Sequence, residues 1–222
     1  MPIVGSDGRI LEDVEVDLNR PLMTVTPTLD GDVLTVLANH DGIFTTGQLH
    51  RLLARHSEEG IRKVLRRLTK QGVVLSDRVG NAFAYRLNRD HLAAGHIIGL
   101  ARLRKVLLER IEHRLESWEI PPIYAAVFEA AARGGTTEGS EVGLLLIRPD
   151  DADGGRWEAQ VDELMVEMTR WVGNDTRPVE FTEAELAARA YDEAVLRDVA
   201  RDGLTVAGSH TWLAGHLRMG KG

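Results

Sequence analysis

The segment from Ser57 to Gly72 constrains the fold most strongly, because it contains the start, the period and the end of one helix. Ser57 can cap the N terminus, and two glutamates follow in the first turn, where they complement the helix dipole. A glycine at the position of Gly72 is a common helix end. Apolar side chains recur at three- and four-residue intervals on one face, at Ile61, Val64, Leu65 and Leu68. The opposite face is basic and carries Arg62, Lys63, Arg66, Arg67 and Lys70.

The neighbouring segments predict two more helices and a β-hairpin. Residues 30–39 have the apolar face of a helix, which Gly42 closes. Thr45 or Thr46 can cap a short second helix whose apolar residues are Leu49, Leu52 and Leu53. After the third helix, residues 73–75 and 82–87 predict two short strands around the turn Val79-Gly80-Asn81. The predicted order is therefore three helices followed by a hairpin.

This order of elements resembles the winged-helix DNA-binding domains of bacterial transcriptional regulators, over residues 25–91. The resemblance implies that the third helix enters the major groove and that the hairpin, or wing, reaches the DNA backbone or minor groove. Double-stranded DNA is the expected partner rather than RNA, because the sequence shows no aromatic platform on which bases would stack. The residues expected to contact DNA are Thr46, Ser57, Arg62, Lys63, Arg66, Arg67, Lys70, Arg78 and Asn81.

Charge is distributed unevenly along the chain, whose net charge is −7. Residues 45–91 carry ten basic and four acidic side chains, whereas residues 1–44 carry two basic and eight acidic ones. Residues 92–222 are again acidic, with 15 basic and 22 acidic side chains. A basic island in an acidic protein indicates a polyanionic partner at that island, although a solvated helix face has the same composition.

A second pattern occupies residues 126–147 and resembles the active-site region of the polymerase-beta-like nucleotidyltransferases. The framework of that motif is present at Phe128, Ala132, Arg133, Gly134, Ser140 and Val142. The positions that bind triphosphate and metal in that family have other residues here. Glu129 and Ala130 stand where the family has Gly-Ser, and Glu141 and Gly143 stand where it has two aspartates.

These replacements remove the chemistry that the resemblance would imply. A Gly-Ser pair at a helix N terminus binds triphosphate through backbone N–H groups, and Glu129 would repel that anion. Two carboxylates at positions i and i+2 of a strand face the same side and can hold two Mg²⁺ ions, but Gly143 removes one of them. Glu180 lies on or beside the strand of the family's third carboxylate, without its partners. We therefore expect no catalytic residue, no bound metal and no cofactor.

The sequence as a whole predicts a two-domain α+β protein. Residues 1–17 are an acidic extension, residues 18–91 the winged helix-turn-helix, residues 92–118 a linking helix and residues 119–222 a degenerate nucleotidyltransferase-like domain. We expect residues 123–131 to run from a strand into the start of a helix. Strands are predicted for residues 141–147 and 177–181. Helices are predicted for residues 157–172 and from Glu183 onward, and residues 195–208 predict a helix followed by a strand.

Between the domains, residues 89–118 read as one long helix with apolar residues every three or four positions. This apolar seam either joins two chains into a homodimer or packs against the protein's own domains. Winged-helix regulators commonly bind two half-sites as dimers, so a homodimer is expected. The seam consists of Ile97, Leu100, Leu103, Leu107, Ile111, Leu115 and Trp118.

Three functions fit these patterns. The first is a DNA-binding regulator whose C-terminal domain serves as scaffold, dimer surface or sensor, with a small molecule or nucleotide as a possible ligand. The second is an active nucleotidyltransferase with atypical metal ligands, and the third is an antitoxin-like protein-interaction module. The chain has no cysteine, which excludes disulfides and thiolate metal sites. It has no apolar run long enough for a membrane span and no signal peptide pattern, so we expect a cytoplasmic protein.

Overall fold

The computed structural model describes residues 20–131, 140–173, 175–189 and 194–219. The protein is a mixed α+β structure with a three-stranded and a four-stranded sheet. It divides into two compact units at the boundary between Lys105 and Val106. No helix in the described ranges is long and apolar enough to cross a membrane.

The first unit contains the three helices and the hairpin that the sequence predicts, and it includes one further helix. A 3-10 turn at Pro21–Thr24 precedes the regular elements. The strands form an antiparallel sheet in the order β1-β3-β2. The elements are α1 (Leu29–Asn39), β1 (Phe44–Thr45), α2 (Thr46–Leu52), α3 (Glu58–Lys70), β2 (Val74–Val79), β3 (Ala82–Leu87) and α4 (Ala94–Ala101).

Local sequence signals position these elements. The Thr45 hydroxyl accepts a hydrogen bond from the backbone N–H of Gln48, and the Gln48 side chain accepts one from the backbone of Thr45, so Thr45 rather than Thr46 caps α2. The Ser57 hydroxyl caps α3 by accepting from the backbone N–H of Gly60. Gly72, with φ +76°, lets the chain leave α3 in a left-handed conformation. The predicted caps of α2 and α3 and the helix end at Gly72 are thus confirmed, whereas α1 ends at Asn39, before Gly42.

The core of the first unit lies between α1, α3 and α4. The predicted apolar face of α3 is buried along its whole length, at Ile61, Val64, Leu65 and Leu68. Val33 and Leu37 of α1 are also almost inaccessible to solvent, and Ala101 of α4 belongs to the same cluster. The outer face of α3 therefore points to solvent, as its basic residues predict.

The second unit is built on a four-stranded sheet in the order β6-β5-β4-β7. Strand β4 is antiparallel to both of its neighbours, and β5 pairs with β6 in parallel. The predicted strands and helices of residues 141–208 are confirmed, with bounds shifted by a few residues. The elements are α5 (Leu103–Glu116), β4 (Tyr124–Ala131), β5 (Ser140–Arg148), α6 (Gly154–Val172), β6 (Thr176–Thr182), α7 (Glu183–Arg189), α8 (Ala194–Asp202), β7 (Leu204–Ala207) and α9 (His210–Met219).

Two sequence predictions about this region were wrong. The expected single helix over residues 89–118 is two helices, α4 and α5, separated by a turn at Arg102. The apolar period continues across that turn, so periodicity could not reveal it. Residues 124–131 are a strand throughout, and no helix starts before Ala131. The strand continues because each residue of β4 has a partner on β5, from Tyr124 opposite Ile147 to Ala131 opposite Ser140.

Most side chains of the apolar seam, residues 97–118, pack within the protein's own core. Leu107, Ile111, Leu115 and Trp118 are buried in the folded protein. Ile97 and Leu100 pack against the core of the first unit. Of the two expected uses of the seam, packing against the protein itself is therefore the one that the structure supports.

Candidate functional site

A groove of about 650 Å³ lies in the first unit between the outer face of α3, the β2–β3 hairpin and the start of α2. Three of the predicted contact residues line it, namely Thr46, Arg62 and Arg66. We call it the α3 groove, and its full lining is Thr45, Thr46, Gly47, Glu58, Arg62, Arg66, Thr69, Ser76, Ala82, Phe83 and Tyr85.

Helix geometry divides the basic face of α3 into two rows. Arg62 and Arg66 are four residues apart, so they lie on the same face of the helix about one turn from each other, and both line the α3 groove. Lys63, Arg67 and Lys70 are exposed on the neighbouring row and do not line it. The five cations that the sequence groups together therefore have two different surroundings.

Ion pairs further distinguish the cations of α3. The Arg62 guanidinium contacts the carboxylates of Glu58, at 2.8 Å, and Glu59, at 3.0 Å. Arg67 pairs with Asp30 of α1. Arg66 forms no ion pair with any other residue that the structure describes, although it lies in the groove. Arg66 is therefore the groove cation that is most available to an anionic partner.

The remaining predicted contacts have more limited roles. Ser57 uses its hydroxyl as the cap of α3, so that oxygen is already engaged. Arg78 of β2 donates from Nε to the carbonyl oxygen of Gly80 at 3.3 Å, which supports the hairpin turn. Asn81 is exposed in the same turn. These residues are solvent-accessible, but Arg78 and Asn81 do not line the α3 groove.

Two aromatic residues of the groove were missed from the sequence. Phe83 and Tyr85 are two positions apart on β3 and therefore lie on the same face of the hairpin. The Phe83 side chain is 57 % exposed, so its ring is accessible from the groove. The sequence did not reveal that these two rings lie beside the basic residues of α3. Alternation within residues 82–87 was a signal for the strand, but it did not show which face the helix would adjoin.

A buried carboxylate holds the turn between α2 and α3 in place. Asp32 of α1 is 5 % exposed. It accepts hydrogen bonds from Arg20, at 2.9 and 2.8 Å, from Arg55, at 3.3 Å, and contacts the His56 ring at 2.7 Å. Arg55 and His56 belong to the α2–α3 turn, so Asp32 links α1 to the segment that orients α3.

Electrostatics in this cluster favour the charged form of Asp32. Burial is the largest single effect and raises the pKa of the carboxyl group, but the opposing effects together outweigh it. Hydrogen bonds from Arg20 and His56, together with the charges of Arg20 and Arg55, hold the pKa of Asp32 below its usual value. The cluster was not predicted, because its partners are 12 to 24 residues from Asp32 in the sequence.

The described residues of the expected nucleotide motif lie on β4 and β5 of the second unit. The backbones of Glu129 and Ala130 pair with Val142 and Glu141 in the antiparallel ladder. Their position in a strand replaces the predicted helix N terminus, so helix-dipole binding of phosphate has no structural basis at these residues. Arg133 and the side chains of Glu129, Ala130, Ser140 and Glu141 lie outside the described part of the chain.

Gly143 is tightly covered by an aromatic ring. It pairs directly with Phe128 across the hairpin. A Cβ atom added at Gly143 would meet the Cζ atom of that ring at 2.5 Å, closer than side chains normally approach. The Phe128 ring thus occupies the space in which the resemblance would require the side chain of the second metal-binding aspartate.

Glu180, the expected third carboxylate of the cluster, forms a different interaction. Glu180 lies on β6, and its carboxylate accepts a hydrogen bond from the indole N–H of Trp157 at 2.5 Å. In the parallel register, Glu180 pairs with Leu146, whereas the residue beside Gly143 is Arg177. Glu180 is therefore three residues along the strand from the level of Gly143. Within the described ranges, no group of three histidine or acidic side chains could hold a metal ion.

The chain matches no protein-family model, no curated protein and no solved structure.

Proposed function

We propose that this protein is a DNA-binding transcriptional regulator, in which residues 20–105 form a winged-helix domain. The order α1-β1-α2-α3-β2-β3 and the sheet order β1-β3-β2 support this assignment. In this proposal α3 is the helix that reads the major groove and the β2–β3 hairpin is the wing.

The observation that carries the proposal is the α3 groove, with Arg62 and Arg66 along one side of it. A concave surface between a basic helix and a hairpin can follow the sugar–phosphate backbone of a duplex. Residues 20–105 carry 14 basic and seven acidic side chains, whereas residues 106–222 carry 12 basic and 22 acidic ones. A duplex would therefore be attracted to the first unit and repelled by the second.

The second unit serves, in this proposal, as a scaffold without nucleotidyl transfer. The Phe128 ring over Gly143 and the engagement of Glu180 by Trp157 support this view. Two-metal catalysis requires carboxylates that face a common space, and no group of three acidic or histidine side chains that could hold a metal occurs among the described residues. Incubation with radiolabelled ATP and Mg²⁺ tests this part. We expect no transfer of label, and labelling that Glu141→Gln abolishes would contradict us.

DNA binding is best tested by selecting genomic fragments that the full chain retains and then measuring affinity for a selected duplex. Arg66→Ala should weaken binding by about 5- to 150-fold, corresponding to roughly 1–3 kcal/mol, if Arg66 contacts a base edge. If it contacts a phosphate instead, the slope of log K against log salt should decrease by about one.

The matched control is Arg86→Ala. Arg86 is an exposed arginine of the same unit, on strand β3, that does not line the α3 groove, and it pairs with Asp77. We expect this variant to bind within about twofold of the parent, because exposed pairs contribute little. Equal affinities for the parent and Arg66→Ala, at the same salt concentration, would refute the assignment of the groove.

A further inference from the structure

The α3 groove has a feature that a fully paired duplex does not use. Phe83 and Tyr85 present aromatic side chains on one face of β3, and Phe83 remains more than half exposed. Two residues along a strand separate the two positions by roughly 7 Å. The rings line a groove that also contains cationic side chains, so a flat apolar group with an attached anion could contact both at once.

The surroundings of these rings define the chemistry of that partner. Arg62 and Arg66 line the same groove from α3. Ser76, which pairs with Tyr85 across the hairpin, adds a hydroxyl group to the lining. Cations that can bind phosphate, rings that can stack on bases and a hydroxyl that can bond to a base edge are the groups that single-stranded nucleic acids require.

We propose that the α3 groove binds an unpaired nucleotide, with its base against Phe83 and its phosphate at Arg66. The groove volume of about 650 Å³ falls within the range of roughly 300–1,000 Å³ that is typical of ligand sites. In an intact duplex both faces of each base are stacked on neighbouring bases, so the ring would have no base face to contact. The unpaired nucleotide comes either from a single strand or from a base displaced out of a duplex.

This inference rests on the proposed function, since the same groove contacts nucleic acid in both, but it predicts a different specificity. The test uses the full chain and fluorescence anisotropy with four labelled probes. The first two are an oligothymidine and an oligouridine of about ten nucleotides, within the site sizes of single-strand binding domains. The others are a duplex with a two-nucleotide bulge and the same duplex fully paired.

Three variants distinguish base stacking on Phe83 from nonspecific hydrophobic binding. Phe83→Ala removes the ring at an exposed position, and Phe83→Trp keeps a stacking surface there. Leu92→Ala is the control, because Leu92 is an exposed apolar residue of the same unit that does not line the groove. Phe83→Ala should weaken binding of the single strands or the bulged duplex about tenfold, as expected for the loss of one base–aromatic contact. Phe83→Trp and Leu92→Ala should bind within about twofold of the parent.

The probes also distinguish the source of the nucleotide and the failure of each proposal. An effect of Phe83→Ala on the oligonucleotides supports a single strand, and an effect confined to the bulged duplex supports a displaced base. A parent protein that binds the paired duplex, with no tighter binding to the bulged duplex and none to the single strands, overturns the inference but leaves the proposed function intact. An equal loss of affinity for all probes in Phe83→Ala also overturns it. A protein that binds none of the probes overturns the inference, and one that in addition retains no genomic fragment overturns both.

Discussion

Replacing Asp32 by asparagine should destabilise the first unit, because it removes the one charge that three partners share. The carboxylate is buried on α1, and its oxygens contact Arg20, Arg55 and His56 at distances of 2.7 to 3.3 Å. Asparagine has nearly the same volume, but it is uncharged, and one of its two polar atoms is a donor that would face the donors of the two arginines. The substitution therefore removes the negative charge that Arg20 and Arg55 contact, without creating a cavity.

The magnitude follows from the exposure of the partners. Breaking a buried ion pair costs about 3–5 kcal/mol when the remaining charge stays buried. Here the side chains of Arg20, His56 and Arg55 are 19 %, 23 % and 53 % exposed, so they can recover part of their hydration. We therefore expect a loss of about 2–3 kcal/mol. For a unit of this size, that corresponds to a decrease in Tm of about 10–20 °C.

Two spectroscopic signals can assign the effect to the correct unit. Every tryptophan of the chain lies beyond residue 105, at Trp118, Trp157, Trp171 and Trp212. Tryptophan fluorescence therefore follows the second unit, whereas far-ultraviolet circular dichroism follows the helices of both. The lower Tm of Asp32→Asn should be seen in the dichroism, and the fluorescence transition should move less. Asp41→Asn is the control, because the Asp41 side chain is 90 % exposed and should change Tm little.

The dependence on pH provides a second test of the same reasoning. Because the pKa of Asp32 is lower in the folded protein than the value of about 3.9 in an unfolded chain, folding favours its charged form. The resulting stability is complete above the unfolded pKa and is lost as the pH falls through the folded pKa. The difference in Tm between the parent and Asp32→Asn should thus be constant near neutral pH and shrink below about pH 4. A difference under about 2 °C at neutral pH, or one that grows on acidification, would refute this account.

Two further predictions concern the second unit. Gly143→Ala should destabilise it by about 1–3 kcal/mol in fluorescence-monitored melting, because the new Cβ overlaps the Phe128 ring, whereas Gly215→Ala meets no atom within 4 Å and should cost nothing. Leu107→Asp should unfold the unit rather than yield a folded monomer, because Leu107 is buried in the chain, and the partly exposed neighbour Val106→Asp should remain folded. A folded Leu107→Asp that sediments as a monomer, from a parent that sediments as a dimer, would instead revive the apolar seam as the dimer interface.

Local signals made the first unit predictable. The period of α3, with Ser57 before it and Gly72 after it, specified its bounds and its buried face, because both depend on neighbours within one or two turns. The hairpin followed from two β runs and the Gly80 turn in the same way. The ion pair between Arg67 and Asp30 could not be predicted, since it joins residues 37 positions apart. Predicting it requires the packing of α1 on α3, which no local pattern contains.

In the second unit, the motif predicted the strand β5 correctly, but it did not predict the conformation and side chains of the neighbouring strand β4. The resemblance implied a helix start near Glu129, whereas the ladder with β5 keeps the backbone extended to Ala131. The ring of Phe128 over Gly143 depends on the register between two strands, which the sequence does not state. The absence of an aspartate at residue 143 was readable from the sequence. The presence of a ring in its place required the structure.

The pairing of Arg62 with Glu58 and Glu59 has a consequence for how salt would act on this protein. In a protein–DNA complex, each phosphate that a cation neutralises releases part of the ion atmosphere of the duplex. Arg62 already has two internal counterions from its own helix. If it turned to a phosphate, those two carboxylates would gather cations from solution, and this uptake would offset the release from the DNA. The measured salt dependence would then count fewer phosphates than the protein contacts, and Arg62 could contribute to the shape of the binding surface without contributing to its salt slope.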